Sequence, residues 1–189
     1  MPEKPEVIVA TGRIFEIVQL PQPDGRIFEV ARRAPGVRLI IADNTKRQVL
    51  LSRESRRELG DQPDYRLPGG KLFDTLPEFE AFRTSGADII PAAAAKVREE
   101  AAEEVGLQIH GVQFLQKSTL GTTVEWDLYV FEALGWQSHP AGQAPEAGEE
   151  GIEVGWYDYA TAEEMILTGQ MHEERIALIL LQWLHRQAA

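Results

Sequence analysis

One stretch, from Pro91 to Leu107, constrains the fold of this chain more than any other. It reads Pro-Ala-Ala-Ala-Ala-Lys-Val-Arg-Glu-Glu-Ala-Ala-Glu-Glu-Val-Gly-Leu. Proline suits a first helical turn, alanine has the highest helix propensity, and glycine commonly follows a helix end in the left-handed conformation. The stretch therefore predicts a helix that begins near Pro91 and stops at Gly106.

Three glutamates of this helix share one face. Glu100, Glu103 and Glu104 stand in the i, i+3, i+4 relation, which places their carboxylates within about 100° of arc. A stripe of apolar residues lies beside them, at Ala94, Val97, Ala101 and Val105. Like charges on one face repel unless a cation binds there, and carboxylate oxygens suit a hard ion such as Mg²⁺ or Mn²⁺. The alternative is a solvated acidic helix face.

A Gly-Gly turn precedes this helix along the chain. Residues 65–71, Tyr-Arg-Leu-Pro-Gly-Gly-Lys, read as a strand end that runs into a turn. Followed by a helix that ends Glu-Glu-x-x-Glu-Glu-Val-Gly-Leu, this turn resembles the signature of the Nudix hydrolases, G-x5-E-x7-R-E-U-x-E-E-x-G-U, where U is a bulky apolar residue. With Gly106 as the anchor, the matching positions are Glu100, Glu103, Glu104 and Leu107.

The chain departs from that signature in three ways. Gly70 and Gly106 lie 36 positions apart where the signature has 21, so 15 residues are inserted. The arginine position is Glu99, and the first glutamate position falls on Pro91. Three residues of the insert are candidate replacements for that first glutamate: Glu78, Glu80 and Asp88.

The missing arginine bears on Glu100, because in the family this arginine orients the glutamate that follows it. Lys96 lies one helical turn before Glu100, inside the acid cluster, and we expect it to take over part of the orienting role. Arg98 is poorly placed, because a shift of one residue turns it about 100° away from Glu99.

Further candidate site residues lie in two other regions. Near the Gly-Gly turn, the expected substrate contacts are Arg53, Arg66, Gly69 and Gly70. The alternative interpretation is that Arg53, Arg56 and Arg57 are solvated surface arginines. Near residue 150, an acidic loop resembles the one that delivers a catalytic glutamate in the ADP-ribose pyrophosphatase-like branch of the family. The candidates there are Glu149 and Glu150, with Glu146 third, and a solvated acidic loop is the alternative.

Charge and composition exclude several classes of function. The net charge of -11 and the lack of a basic run argue against a nucleic-acid backbone binder. The absence of cysteine excludes disulfide scaffolds, thiolate zinc sites and cysteine nucleophiles. The first residues carry no apolar signal core, and no stretch approaches the length of a membrane span. We therefore expect a cytoplasmic protein with a small-molecule partner and neither a nucleic-acid nor a membrane partner.

The element order predicts an α+β chain. Residues 7–33 read as a β meander, and residues 135–148 read as a loop. A short helix is expected near 77–83 with Phe79 and Phe82 packed, an N-capped helical turn near 161–167, and a helix near 173–186 with Trp183 in the core. The resemblance implies an α/β/α sandwich around a mixed sheet, in a Nudix domain at 35–189 that follows a β extension at 1–34. It also implies a homodimer with exchanged N-terminal strands.

The resemblance implies hydrolysis of a nucleoside diphosphate linked to a group X, with ADP-ribose first and other nucleotide sugars next. Glu100, Glu103 and Glu104 would hold Mg²⁺ or Mn²⁺, and Glu149 or Glu150 would act as the base. Candidates for stacking on the base are Tyr65, Phe28 and Trp126. The alternative function is a Nudix-fold ligand-binding or sensor protein that has lost turnover, which the altered signature positions favour.

Overall fold

A computed structural model describes residues 6–56, 59–60, 62–144 and 151–187. The elements in these ranges are β1 (Val7–Thr11), β2 (Phe15–Pro21), β3 (Ile27–Arg33), β4 (Gly36–Ile40), β5 (Ala42–Asp43), β6 (Gln48–Arg56), β7 (Gln62–Arg66), α1 (Leu76–Ser85), α2 (Ile89–Val105), β8 (Leu107–Ser118), β9 (Val124–Glu125), β10 (Leu128–Ser138), β11 (Glu153–Asp158), α3 (Tyr159–Leu167) and α4 (Glu174–Gln187).

The first three strands form the predicted antiparallel meander. β2 lies between β1 and β3, and β9 adds to β3 in parallel. The turn between β2 and β3 contains Gly25 with a φ of 83°, a backbone conformation that glycine adopts without strain. A domain boundary at residue 34 stays a prediction.

The remaining strands form a three-stranded sheet and a four-stranded sheet. β10 lies between β4 and β8, parallel to β4 and antiparallel to β8. β6 lies between β11 and β5 and also pairs with β7. Because parallel and antiparallel pairs both occur, the predicted mixed sheet is confirmed.

Side chains alternate between the two faces of these strands, as the two-residue repeat of a strand requires. Val37 and Leu39 of β4 belong to the core under α2, whereas Ile40 belongs to the core under α3 and α4. On β10, Tyr129 likewise packs with α2, and Val130 packs with α4. Helices therefore cover both faces, which confirms the α/β/α sandwich.

Helix α2 carries the acid cluster and differs slightly from its prediction. It begins at Ile89 rather than at Pro91, because the Asp88 side chain caps it by accepting the backbone N–H of Ile90. It ends at Gly106 as predicted, with a φ of 64°. Three of the four predicted stripe residues, Val97, Ala101 and Val105, are buried, and Ala93 is buried in place of Ala94. Two of the glutamates, Glu100 and Glu104, are buried beside this stripe.

The insert forms the short helix α1. Thr75 caps it by accepting the Glu78 N–H, and a proline follows at the start of the helix. The rings of Phe79 and Phe82 lie 5.6 and 5.0 Å from the ring of Phe73. The prediction of a packed helix in the insert is therefore confirmed.

Two local predictions were wrong. Residues 135–138 are not loop, because β10 continues to Ser138 and pairs there with Leu107 of β8. The last part of that predicted loop, 145–148, lies outside the described residues. Thr161 does not cap α3, which already begins at Tyr159, a residue buried in the core. In both places contacts with distant residues outweigh the local sequence signal.

The C-terminal helix follows its prediction closely. α4 buries Trp183, which is 1% exposed. In the described part of the chain, no helix combines the length and the apolar composition that crossing a membrane requires.

Candidate active site

A pocket of about 430 Å³ opens beside the Gly-Gly turn that follows β7. The turn lies against β4, since the Val37 N–H donates to the carbonyl of Gly70 and the Leu39 N–H donates to that of Pro68. Charged side chains of both signs line the pocket, among them Arg33, Arg38, Arg66, Lys96, Glu100 and Glu104. At this pocket, the acidic face of α2 therefore lies beside the Gly-Gly turn, although the turn precedes those acids by some thirty residues.

Glu104 is attached directly to the turn. Its carboxylate is buried, and Oε2 accepts the backbone N–H of Gly69 at 2.7 Å. Gly69 has a φ of 140°, and a Cβ at this position would overlap the carbonyl oxygen of Val37. The backbone therefore needs glycine here to bring its N–H to the carboxylate.

Glu100 lies against the second glycine and beside a lysine. A Cβ on Gly70 would come within 2.5 to 2.6 Å of the Glu100 carboxylate, so the missing side chain makes room for it. Lys96 Nζ lies 3.2 Å from Glu100 Oε1 and 3.6 Å from Glu99 Oε2. Burial alone would lower the pKa of Lys96, but the neighbouring carboxylates, led by Glu100, raise it above its ordinary value. Lys96 is therefore an ammonium ion within the acid cluster, and its orienting role stays a prediction.

The third glutamate of the predicted metal set is placed differently. Glu103 is partly exposed and is not among the residues that line the pocket, although its charge also raises the pKa of Lys96. Within the described ranges, no three His, Asp or Glu side chains are grouped closely enough to form a ready-made metal site. Of the glutamates of α2, Glu100 and Glu104 line the pocket, together with Glu54 and Asp74 from other parts of the chain.

Two arginines and one glutamate form a largely buried hub at the same pocket. Arg38 Nη2 and Arg66 Nη2 each lie 3.0 Å from Oε2 of Glu173. Arg38 Nη1 also donates to the carbonyl of Gly69 at 3.0 Å. Burial alone would raise the pKa of Glu173, but the neighbouring guanidinium groups, led by Arg38 and Arg66, lower it below its ordinary value. The hub is therefore an ionised network that ends at the turn.

Of the predicted substrate contacts, Arg66 lines the pocket and Arg53 does not. Arg66 also pairs with Glu54 at 2.7 Å, whereas Arg53 pairs with Glu153 on the neighbouring strand at 2.7 Å. The side chain of Arg56 and all of Arg57 lie outside the described residues, as do Glu146, Glu149 and Glu150.

Among the aromatic candidates, Trp126 lies at the pocket. The guanidinium carbons of Arg33 and Arg175 lie 4.4 and 4.3 Å from the centre of its ring. Tyr65 packs edge-on against another tyrosine, and Phe28 is an exposed residue of the N-terminal sheet. Trp126 is therefore the one of the three that lines the pocket, and arginines already stack on it.

Of the acids of the insert, Asp74 lines the pocket, whereas the three predicted replacements for the first glutamate do not. Glu78 accepts the backbone N–H of Asp74, Glu80 pairs with Arg83, and Asp88 caps α2. None of the three predicted replacements is among the lining residues.

Sequence reasoning missed Arg38 and Glu173. The sequence could have identified Arg38, because a charged residue inside the apolar run of residues 37–42 requires a partner if the strand is buried. It could not have identified Glu173, since a glutamate at the start of a helix is ordinary.

The comparisons with known proteins concern the fold. No protein-family profile matches the chain, and no curated protein matches it. Among solved structures, the chain is similar to an ADP compounds hydrolase with a TM-score of 0.67 and 20% identity, over 97% of this chain and 93% of that one. MutT, studied from Aliivibrio salmonicida and Vibrio cholerae, matches with a TM-score of 0.46 and 16% identity, over 70% of this chain and 85% of that one. The second likeness is too low to carry an argument. The first confirms the fold that the resemblance implied.

Proposed function

We propose that this chain, with its Nudix-type fold, is a metal-dependent hydrolase that cleaves the diphosphate of a nucleoside diphosphate linked to a group X. The observation that carries the proposal is the charge arrangement around Gly69. Its N–H donates to the carboxylate of Glu104, and its carbonyl accepts from the guanidinium of Arg38, with Glu100 and Arg66 in the same pocket. Carboxylates suit a cation and guanidinium groups suit a phosphate, so the pocket suits a metal–diphosphate complex.

The donor chemistry of the pocket fits a hard divalent ion. Glu100 and Glu104 offer buried carboxylate oxygens, and Glu103 is proposed as a further ligand from the same helix. Two or three protein ligands suffice for Mg²⁺, which keeps several waters and binds substrate phosphates. When bound, such an ion neutralises phosphoryl oxygens and lowers the pKa of an attacking water.

Side chains and backbone groups of this chain are proposed to bind the substrate and to move the proton. Arg38 and Arg66 would bind phosphoryl oxygens of the substrate and hold its diphosphate in the pocket. Glu149 or Glu150 is proposed to take the proton of the attacking water, a step that a placed base accelerates by about 10²–10⁴-fold. Gly69 and Gly70 are proposed to let the substrate approach the backbone closely.

ADP-ribose is the substrate we propose first, and other nucleotide sugars come next. The sequence resemblance to the ADP-ribose pyrophosphatase-like branch supports this order. The name of the similar solved structure, an ADP compounds hydrolase, supports an ADP group on one side of the diphosphate.

The test is a turnover panel with Mg²⁺ or Mn²⁺ that contains ADP-ribose, GDP-mannose, diadenosine polyphosphates, NADH, CoA and dNTPs. Hydrolysis of one compound well above the others would establish the class and select the substrate. No turnover, together with thermal stabilisation by one compound, would instead support the ligand-binding alternative. The altered signature positions, Glu99 and Pro91, are the features that favour that alternative.

Replacing Lys96 by methionine is expected to lower kcat by about tenfold, because Glu100 loses the partner that orients it. The same change is expected to tighten Mn²⁺ binding, since one positive charge leaves the acid cluster. Isothermal titration with Mn²⁺ and steady-state kinetics measure the two effects separately. Arg98→Met is the matched control, because Arg98 is a cation of the same helix that donates to the Ala94 carbonyl. Unchanged kcat and unchanged Mn²⁺ affinity in Lys96→Met would rule the role out.

We also propose a homodimer that forms through the N-terminal β extension, residues 1–34. Three consecutive apolar residues of the edge strand β1 are exposed, Val7, Ile8 and Val9. Such an edge is a template for pairing with another chain. Sedimentation velocity is expected to show a dimer for the wild type and a monomer for Ile8→Lys. A wild-type monomer would contradict the proposal.

A further inference from the structure

We infer that Glu173 is the positioning residue that holds Arg38 and Arg66 together as one binding unit for a diphosphate. The inference rests on the proposed function, because it assigns the diphosphate of the substrate to this arginine pair. It goes beyond that function by giving a role to a residue that does not line the pocket.

The shared oxygen sets the spacing of the pair. Since Arg38 Nη2 and Arg66 Nη2 each lie 3.0 Å from Glu173 Oε2, these two nitrogens lie within 6.0 Å of one another. Two guanidinium groups at this spacing suit two adjacent phosphoryl groups, and each group can donate more than one hydrogen bond.

Glu173 is itself held in place from two sides. Its carbonyl accepts the N–H of Ala177 in the first turn of α4, at 3.0 Å. Its second carboxylate oxygen, Oε1, lies 3.3 Å from Arg175 Nε, and Arg175 Nη1 donates to the carbonyl of Trp126 at 2.7 Å. The carboxylate therefore has little freedom to follow the arginines if they move, which is the property that a positioning residue needs.

Glu173 also balances the positive charge of the two arginines. Two neighbouring guanidinium groups repel, and burial strengthens the repulsion. Arg66 has further carboxylate neighbours in Glu54 and Asp64. For Arg38, the one carboxylate within ion-pair distance in the described part of the chain is that of Glu173. Without that carboxylate, Arg38 is expected to move away from its partner or from the pocket.

The test measures anion binding without turnover. Inorganic pyrophosphate is titrated into wild type and Glu173→Gln at constant Mg²⁺, and KM and kcat are measured with the best substrate of the panel. We expect the pyrophosphate Kd and the KM to rise about tenfold, with kcat changed by less than about twofold. Mn²⁺ affinity in the absence of anion is expected to stay unchanged, because the arginine hub and not the acid cluster is altered.

A matched control separates positioning from general loss of stability. Glu16 pairs with Arg32, another buried arginine, at 3.3 Å in the N-terminal sheet. Glu16→Gln therefore makes the same chemical change at a buried arginine outside the candidate site, and it is expected to leave the pyrophosphate Kd unchanged. If Glu173→Gln does not fold, Glu173→Asp keeps the charge but shortens the reach, and a rise in Kd of about threefold or more supports the inference. An unchanged Kd in the folded variant would overturn it.

Failure of this inference and failure of the proposed function give different results. If the wild type hydrolyses no compound but binds pyrophosphate in a Glu173-dependent way, the positioning role stands and the hydrolase proposal falls. If the wild type hydrolyses a compound and the Glu173 variant keeps both Kd and KM, the hydrolase proposal stands and the positioning role falls.

Discussion

Glu104→Gln is expected to lower turnover by about 100-fold or more. Glu104 is buried at the pocket, and its Oε2 accepts the N–H of Gly69. Glutamine keeps an oxygen that can accept this hydrogen bond, so the turn and the fold should persist. It removes the negative charge, however, and with it most of the attraction for a divalent cation.

The measurement is kcat/KM over a range of Mg²⁺ concentrations, together with the melting temperature of the variant. Glu99→Gln is the matched control, because Glu99 lies on the same helix with a side chain that is 62% exposed. That control is expected to stay within about twofold of wild type. Wild-type activity in a folded Glu104→Gln variant would remove Glu104 from the proposed machinery.

The second large effect concerns stability, and Gly69→Ala is expected to destabilise the fold by about 3 kcal/mol or more. The backbone φ of 140° is strained for alanine, and the new Cβ would overlap the Val37 carbonyl oxygen. Both groups belong to the backbone, so neither can turn away as a flexible side chain would. The strand, the turn or both must shift.

Urea unfolding followed by tryptophan fluorescence measures the loss. The control is Gly86→Ala, since Gly86 also has a positive φ, of 70°, but a Cβ there would meet nothing within 4 Å. That control is expected to cost about 1 kcal/mol, the conformational part alone. Equal losses in the two variants would mean that the overlap at Gly69 contributes nothing.

Helix α2 and strand β4 show which structural features follow from short-range sequence patterns. The boundaries of α2 follow from caps that lie next to the helix, at Asp88 and Gly106. The alternation of β4 follows from a two-residue repeat within the strand itself. Glu100 and Glu104 could be proposed as a pair because helical spacing puts residues four apart on one face. Each of these features depends on neighbours within a few positions, and of the two caps the sequence analysis predicted the one at Gly106.

Features that depend on distant partners do not follow from the local sequence. The segment from Gly135 to Ser138 reads as loop, yet it is strand because β8 supplies its hydrogen-bonding partners. Arg53 was proposed as a substrate contact, but Glu153 on the next strand pairs with it, and its role in binding stays a prediction. Glu103 shares a helical face with Glu100 in the sequence, yet it is partly exposed and does not line the pocket.

The α+β class, the acidic helix and the glycine turn could be predicted from the chain alone, because helix propensity, capping and side-chain periodicity are local properties. Which charges meet depends on the tertiary structure. Arg38, Arg66 and Glu173 come from two strands and the start of the last helix, and no local rule relates residues that are 135 positions apart. Burial makes their meeting obligatory, since each of these charges would be too costly to bury alone.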